Sequence, residues 1–200
     1  MDAREIKQID TSGRNGLPAP EFFEKRPAEA PVGQPGLHGR SAGTPTAGTP
    51  GTDIRIRVGY SGDEPGVVQI VGEGPHTGQN WKIYREEKLL LVAKGGDGGA
   101  GGRGEDGQAG GRGRDGRDAT KYRNGEDGDD GAPGGNGGYG SSGADGAGGG
   151  NVFVTVQDQD TDMLMPLLFD VRGGAGGMSG HHGQPGDGGV GGRGGEGHVW

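Results

Sequence analysis

The stretch GGDGGAGGRGEDGQAGGRGRDG, residues 95–116, holds a glycine at every third position without a slip: Gly95, Gly98, Gly101, Gly104, Gly107, Gly110, Gly113 and Gly116. Continued to Gly149, that phase contains nineteen positions, seventeen of them glycine, with Ala119 and Tyr122 as the exceptions. The other thirty-six positions of the span hold seven glycines. A second block restores the pattern at Gly174, Gly177, Gly180, Gly183, Gly186, Gly189, Gly192 and Gly195, and a weaker trace passes through Gly33, Gly36, Gly39, Gly48 and Gly51. A flexible linker has no reason to keep phase over such a length. These glycines are structural.

A period of three belongs to the left-handed extended helix, with three residues per turn and about 3.1 Å rise. It has no internal hydrogen bonds, so every buried N–H and C=O needs a lateral partner. Collagen meets that need with roughly 15–20% proline or hydroxyproline. Here only Pro133 and Pro185 fall inside the two strict blocks. The alternative is a bundle of polyglycine II helices folded back on one another, where any side chain on a contact face would hold the backbones apart. Glycine every third residue clears one face, and Gly-Gly-x clears two. The reading therefore expects GGDGGAGGRG (95–104) and GGVGGRGG (188–195) to be inner helices. It expects GEDGQAGGRGRDG (104–116) at the edge, with its charges in water.

Composition narrows the function classes. Of 200 residues, 53 are glycine, 12 are proline and none is cysteine, and the net charge is −8. Leu, Ile, Val and Phe together number 30, or 15%. That is below the roughly 20% under which a charged chain usually cannot build one large core. The lack of thiols excludes a disulfide framework, a thiolate metal site and a cysteine nucleophile. No run approaches the roughly 18 apolar residues of a membrane span, and MDAREIKQID lacks the apolar region of a secretory signal. The acidic balance argues against nucleic acid and anionic membranes as partners. Location stays open, with the extracellular space or cell surface favoured if the protein is fibrillar.

The apolar residues alternate in short runs. Ile54, Ile56, Val58 and Tyr60 read as a half-buried strand, followed by VVQIV (67–71), WKIY (81–84), LLLVAK (89–94) and NVFVTVQ (151–157). In MLMPLLFDV (163–171), Pro166 excludes a central strand, so a short turn or helical piece leads into a strand. REIKQID (4–10) reads as one more strand, at an edge or lent to a neighbour. The fold class expected is mainly β: a small antiparallel β-sandwich whose loops extend into a bundle of polyglycine II helices, with almost no α-helix. Residues 1–200 read as one compact unit: an N-terminal arm (1–12), a Pro/Gly extended segment (13–52), strands (53–94), glycine-rich helices (95–150), strands (151–172) and further glycine-rich helices (173–200).

Chemical motifs are few. A G-x-G-x-x-G match at Gly96, Gly98 and Gly101 is inevitable at this glycine density and has no βαβ unit around it. Asp158, Asp160 and Asp162 begin like a calcium loop, but Met163 and Phe169 stand where Gly and Glu belong, leaving a weak candidate beside the plain reading of solvated turn carboxylates. Asp127, Asp129 and Asp130 form a similar cluster. His181 and His182 are adjacent and point about 120° apart in an extended helix, so they share a metal badly. Arg103, Arg112, Arg114 and Arg117 resemble an RNA-binding run, but the acidic residues between them leave 95–118 at a net −1. No aromatic interleaves them, which does not suit a phosphate backbone. No catalytic set can be framed, and no cofactor is expected.

GRDGRDATKY (113–122), MLMPLLFDVRGGAGG (163–177) and GGRGGEGHVW (191–200) give the chain a resemblance to a glycine-rich domain of unknown function found in large fungal proteins. It would cover most of residues 10–200 and implies no known activity. More loosely, KGGDGG (94–99) is similar to the glycine-rich N-terminal domain of Obg GTPases, which implies a small β-sandwich joined to a bundle of extended glycine helices. No GTPase motif follows, so no nucleotide chemistry is implied. Glycine-helix bundles also occur in phage tail-tip adhesins and an arthropod antifreeze protein, so architecture alone assigns no function.

The expectation is a non-catalytic structural protein that self-assembles as a homo-oligomer or fibril, with Ile6 and Ile9 on the N-terminal strand as assembly residues. The alternative is a binding or adhesion module that presents the turns between glycine helices.

Overall fold

The computed structural model describes residues 6–22, 28–84 and 86–197. The chain divides into two units: residues 1–17, 46–99 and 144–177 in one, and 18–45, 100–143 and 178–200 in the other. Each boundary falls inside a glycine- or proline-rich stretch, and at 99/100, 143/144 and 177/178 the glycine phase runs through without a sign that one unit ends.

Among the described residues the first unit holds every strand: β1 (Lys7–Asp10), β2 (Ile54–Tyr60), β3 (Val67–Gly72), β4 (Asn80–Tyr84), β5 (Leu89–Val92), β6 (Val152–Val156) and β7 (Leu167–Asp170). Two short 3-10 turns, Gly74–His76 and Asp158–Leu164, are the helical elements among the described residues. The protein is mainly β. In β2 the alternation buries Ile54, Ile56 and Val58 and leaves Arg55 and Arg57 exposed, the pattern of a strand with one face on a core. The chain reverses after β2 and β3 through turns in which Gly66, Gly74 and Gly78 have φ of +80°, +58° and +88°, which glycine adopts without steric cost. The piece around Pro166 behaves as expected, a 3-10 turn leading into β7.

The strands form a four-stranded sheet ordered β4-β3-β2-β6 and a three-stranded sheet ordered β1-β5-β7. The expected antiparallel arrangement holds only for β2-β3 and β3-β4, which short turns connect. β1-β5, β5-β7 and β2-β6 are parallel. Parallel pairing needs a long crossover connection, and the glycine-rich segments between these strands supply it. One apolar cluster draws on both sheets: Ile54, Ile56, Val58, Val68, Ile70 and Ile83 from one, and Ile9, Leu89, Leu91 and Leu167 from the other, with Met163 and Ala93 beside them.

β1 lies at an edge of the three-stranded sheet, pairs with β5 of the same chain and sets Ile9 opposite Leu91. Residues 4 and 5 of the expected strand lie outside the described residues. Ile9 is 6% exposed and belongs to the core of its own chain, whereas Ile6 is 56% exposed. Lys7 Nζ, on the same strand, donates to the Lys82 carbonyl and to Glu87.

The second unit has no ladder of strands among its described residues. It consists of extended segments, with a tight reversal where Thr120 and Arg123 exchange backbone hydrogen bonds.

Truncation should separate the two isoleucines of the N-terminal strand. Ile9→Ala is expected to cost about 2–4 kcal/mol and Ile6→Ala under about 0.5 kcal/mol, read from denaturant midpoints. Equal shifts would place Ile9 outside the core.

Candidate functional site

The densest chemistry in this chain is backbone to backbone. In the first unit, residues 93–99 are bonded on four sides. Gly13 and Gly16 donate to the carbonyls of Lys94 and Asp97, while Gly96 and Gly99 donate to those of Thr49 and Thr46. Ala147 and Ala144 donate to Gly96 and Gly99, and Gly95 and Gly98 donate to Arg172 and Ala175. One bond forms every third residue along each contact. The second unit repeats the scheme: Gly101, Gly104, Gly107, Gly110, Gly113 and Gly116 donate to Met178, His181, Gln184, Asp187, Val190 and Arg193 at 2.8–2.9 Å. Residues 126–141 donate to 102–117 in descending order, and 105–111 donate to Arg40, Leu37 and Gln34.

These contacts give the phased glycines their physical reason. A Cβ added at Gly95, Gly98, Gly101, Gly104, Gly107, Gly110, Gly113 or Gly116 would meet a backbone atom of a neighbouring segment within 3.0 Å, closer than real Cβ atoms come. The same holds at Gly174, Gly177, Gly180, Gly183, Gly186, Gly189, Gly192 and Gly195. None has a positive φ, so the requirement is one of space alone.

Two expectations about position are overturned. GGVGGRGG (188–195) is peripheral: Gly189, Gly192 and Gly195 face the neighbouring backbone, while Gly188 and Gly194 have nothing within 4 Å of a Cβ. Conversely, 104–116 is the inner segment of its unit. Glu105 and Gln108 interrupt the second glycine phase there without opening a gap, because each side chain bonds the neighbour it meets. Glu105 Oε2 accepts from the Arg40 N–H and guanidinium at 3.1 and 2.9 Å, and Gln108 Oε1 accepts from the Leu37 N–H at 3.2 Å. A side chain that supplies an acceptor substitutes for a missing Cβ, which glycine counting does not reveal.

A second feature escaped the period-three reading. Asp97, Asp106 and Asp115 recur every nine residues, with Arg103 and Arg112 six residues after the first two. Asp97 Oδ1 accepts from the Ala175 N–H, Asp106 Oδ1 from Gln184, Asp115 Oδ1 from Arg193 and Asp118 Oδ1 from Glu196, each at 2.8 Å and each across 78 residues. Arg103 pairs with Asp106 and Arg112 with Asp115. A search for a nine-residue repeat would have found the ladder. The Arg193 N–H, above all, holds the Asp115 carboxyl below its usual range. At the end of β7, the Arg172 guanidinium first and Lys94 next bring Asp170 down to about 2.

The weak calcium candidates are not assembled. Asp158, Asp160 and Asp162 lie along a 3-10 element broken by a kink at Asp160, and Asp162 accepts from the Tyr60 hydroxyl. Among the described residues no three His, Cys, Asp or Glu form a group able to hold a metal. His182 Nδ1 accepts from the Gly140 N–H, and its ring meets Tyr139 edge-on at 5.6 Å. A depression of about 350 Å³ over Gly59 on the outer sheet face is lined by Arg57, Gln69, Thr155 and Gln157, and Arg57 is tied to Glu73 at 2.6 Å. None of these brings a nucleophile to a base.

Gly101→Ala, which drives a methyl against the Ser141 carbonyl, is expected to cost about 1–3 kcal/mol. Gly188→Ala should lie within about 0.5 kcal/mol of the parent, because the methyl meets open space at a permitted φ. Equal melting shifts would deny the phase its role. Acid titration gives a second check. The Asp170 pairing stabilises fully above the ordinary carboxylate range and is lost as pH falls from there through about 2; Asp170→Asn should flatten that limb of the stability curve.

The chain matches no protein-family model, no curated protein and no solved structure.

Proposed function

We propose that the chain is a non-catalytic structural protein: a small β-sandwich whose loops extend into polyglycine II helices, and which assembles with copies of itself into a fibril. The observation that carries this reading is that the hydrogen-bonding scheme stays open at its periphery. Among the described residues of the second unit, 100–119 is bonded by four neighbouring segments, whereas 178–197 is bonded by two and has nothing within 4 Å of a Cβ at Gly188 or Gly194. Glycine is costly to order, and among the described residues nothing lies within 4 Å of a Cβ at either of those two glycines to justify them. A further extended segment, laid alongside in the same three-residue register, supplies one. Kinship with the glycine-rich domain of large fungal proteins is part of the same proposal and adds no activity to it.

A binding module is the second reading, favoured by Tyr122. This side chain is 90% exposed on the Thr120–Arg123 reversal, beside Lys121, and tyrosine on a tight turn is a common anchor of protein contacts.

Negative-stain microscopy over a concentration series separates the two. Fibrils or laterally joined particles are expected, and they should persist in Tyr122→Ala. Discrete 20-kDa particles at every concentration would overturn the structural reading.

A further inference from the structure

Three Asn-Gly pairs occur in the chain, at Asn15, Asn124 and Asn136. In such a pair the glycine nitrogen can attack the asparagine side-chain carbon, because no Cβ on the following residue blocks the approach. The reaction needs a nitrogen free to turn toward that carbon and a backbone free to rotate.

Two of the three are held. Gly16 N–H donates to the Asp97 carbonyl at 2.7 Å, and Asn15 Oδ1 accepts from the Asp97 N–H at 2.9 Å, so both reacting groups are occupied. Asn136 is pinned on both sides, its N–H on His38 Nδ1 at 2.8 Å and its carbonyl accepting from Gly39 at 2.7 Å. Gly137 after it is packed on the Gly183 backbone. Asn124 differs. Asn124 and Gly125 are exposed and make no hydrogen bond among the described residues. They lie between the Thr120–Arg123 reversal and the bond from Glu126 N–H to Arg117 O. A Cβ at Gly125 would come no nearer than 3.4 Å to any atom.

We propose that Asn124 is a site of spontaneous covalent modification. The Gly125 nitrogen bonds to Cγ of Asn124 and the C–NH2 bond breaks. The amide proton leaves with the departing ammonia, and a succinimide ring remains. Water then opens the ring at either carbonyl, giving aspartate or isoaspartate. The product places a new carboxylate beside Arg123, which already lies 3.9 Å from Glu126. Isoaspartate also inserts one carbon into the main chain. Within a bonded segment that carbon would push every later glycine out of phase; at 124 it falls in the turn, ahead of the first bond at Glu126.

The test is peptide mapping by mass spectrometry during incubation of the intact protein at mildly alkaline pH. Conversion at Asn124 is expected to run at least about tenfold faster than at Asn15 or Asn136, which must open locally before they react. In guanidinium the three rates should converge. Gly125→Ala, which the structure accommodates, should slow conversion at Asn124 several-fold and leave the other two unchanged. The proposal fails if Asn124 does not convert, if Asn15 or Asn136 matches it in the folded protein, or if unfolding leaves the ranking intact.

Discussion

A carbonyl oxygen occupies the place where a side chain would begin, and the rest of the structure depends on that. Gly104 has Gly138 O there, Gly98 has Ala144 O and Gly186 has Gln108 O. An extended segment cannot satisfy its own backbone, so it must approach others closely, and only glycine allows the approach. Each bond of this kind contributes only about 0.5–1.5 kcal/mol net, against a backbone ordering cost of about 1–2 kcal/mol per residue. Isolated pairs of segments would therefore not persist. A segment bonded on four sides, as 93–99 is, makes ten backbone bonds over its seven residues.

Much of this was legible in the sequence. The glycine phase marked the residues that need space, and alternation marked the strands, because each signal reports directly on what one residue touches. What stayed hidden depends on pairs of distant segments. The peripheral place of 188–195 cannot be read from Gly188 and Gly194 themselves, since glycine looks alike whether a neighbour is present or not. Glu105 and Gln108 look like solvent-facing residues until Arg40 and Leu37 are set beside them. The ladder of Asp97, Asp106 and Asp115 was visible as a repeat, but its role appears only when each carboxylate meets an amide 78 residues away.

Parallel pairing has the same origin. In the first unit each strand that pairs in parallel continues an extended segment: β1 runs into 11–17, β5 into 93–99 and β7 into 172–177, while 46–53 runs into β2 and 144–150 into β6. The segments keep their partners across the change. β5 and β7 pair at an offset of 78 residues, Leu89 with Leu167, and Asp97 meets Ala175 at that same offset. The sheets and the glycine-rich segments thus share one register, and the strands run parallel where the segments they continue do.

That shared register answers a difficulty that a period of three creates. Sliding one glycine-rich segment by three residues restores every glycine to a carbonyl, so the phase alone leaves the alignment degenerate. The strands remove the degeneracy, because their side chains alternate with period two. A slip of three would turn Ile9 and Leu167 out of the core and bring Gln8 and Leu168 in. A slip of six restores both periods, but β1, β5 and β7 are four residues long, so it would abolish their pairing altogether. The aspartate ladder does not add to this: Asp115 and Asp118 take the amides of Arg193 and Glu196, three residues apart, so a slip of three offers each carboxylate an equivalent donor. The small core is what makes a repetitive backbone fold in one alignment.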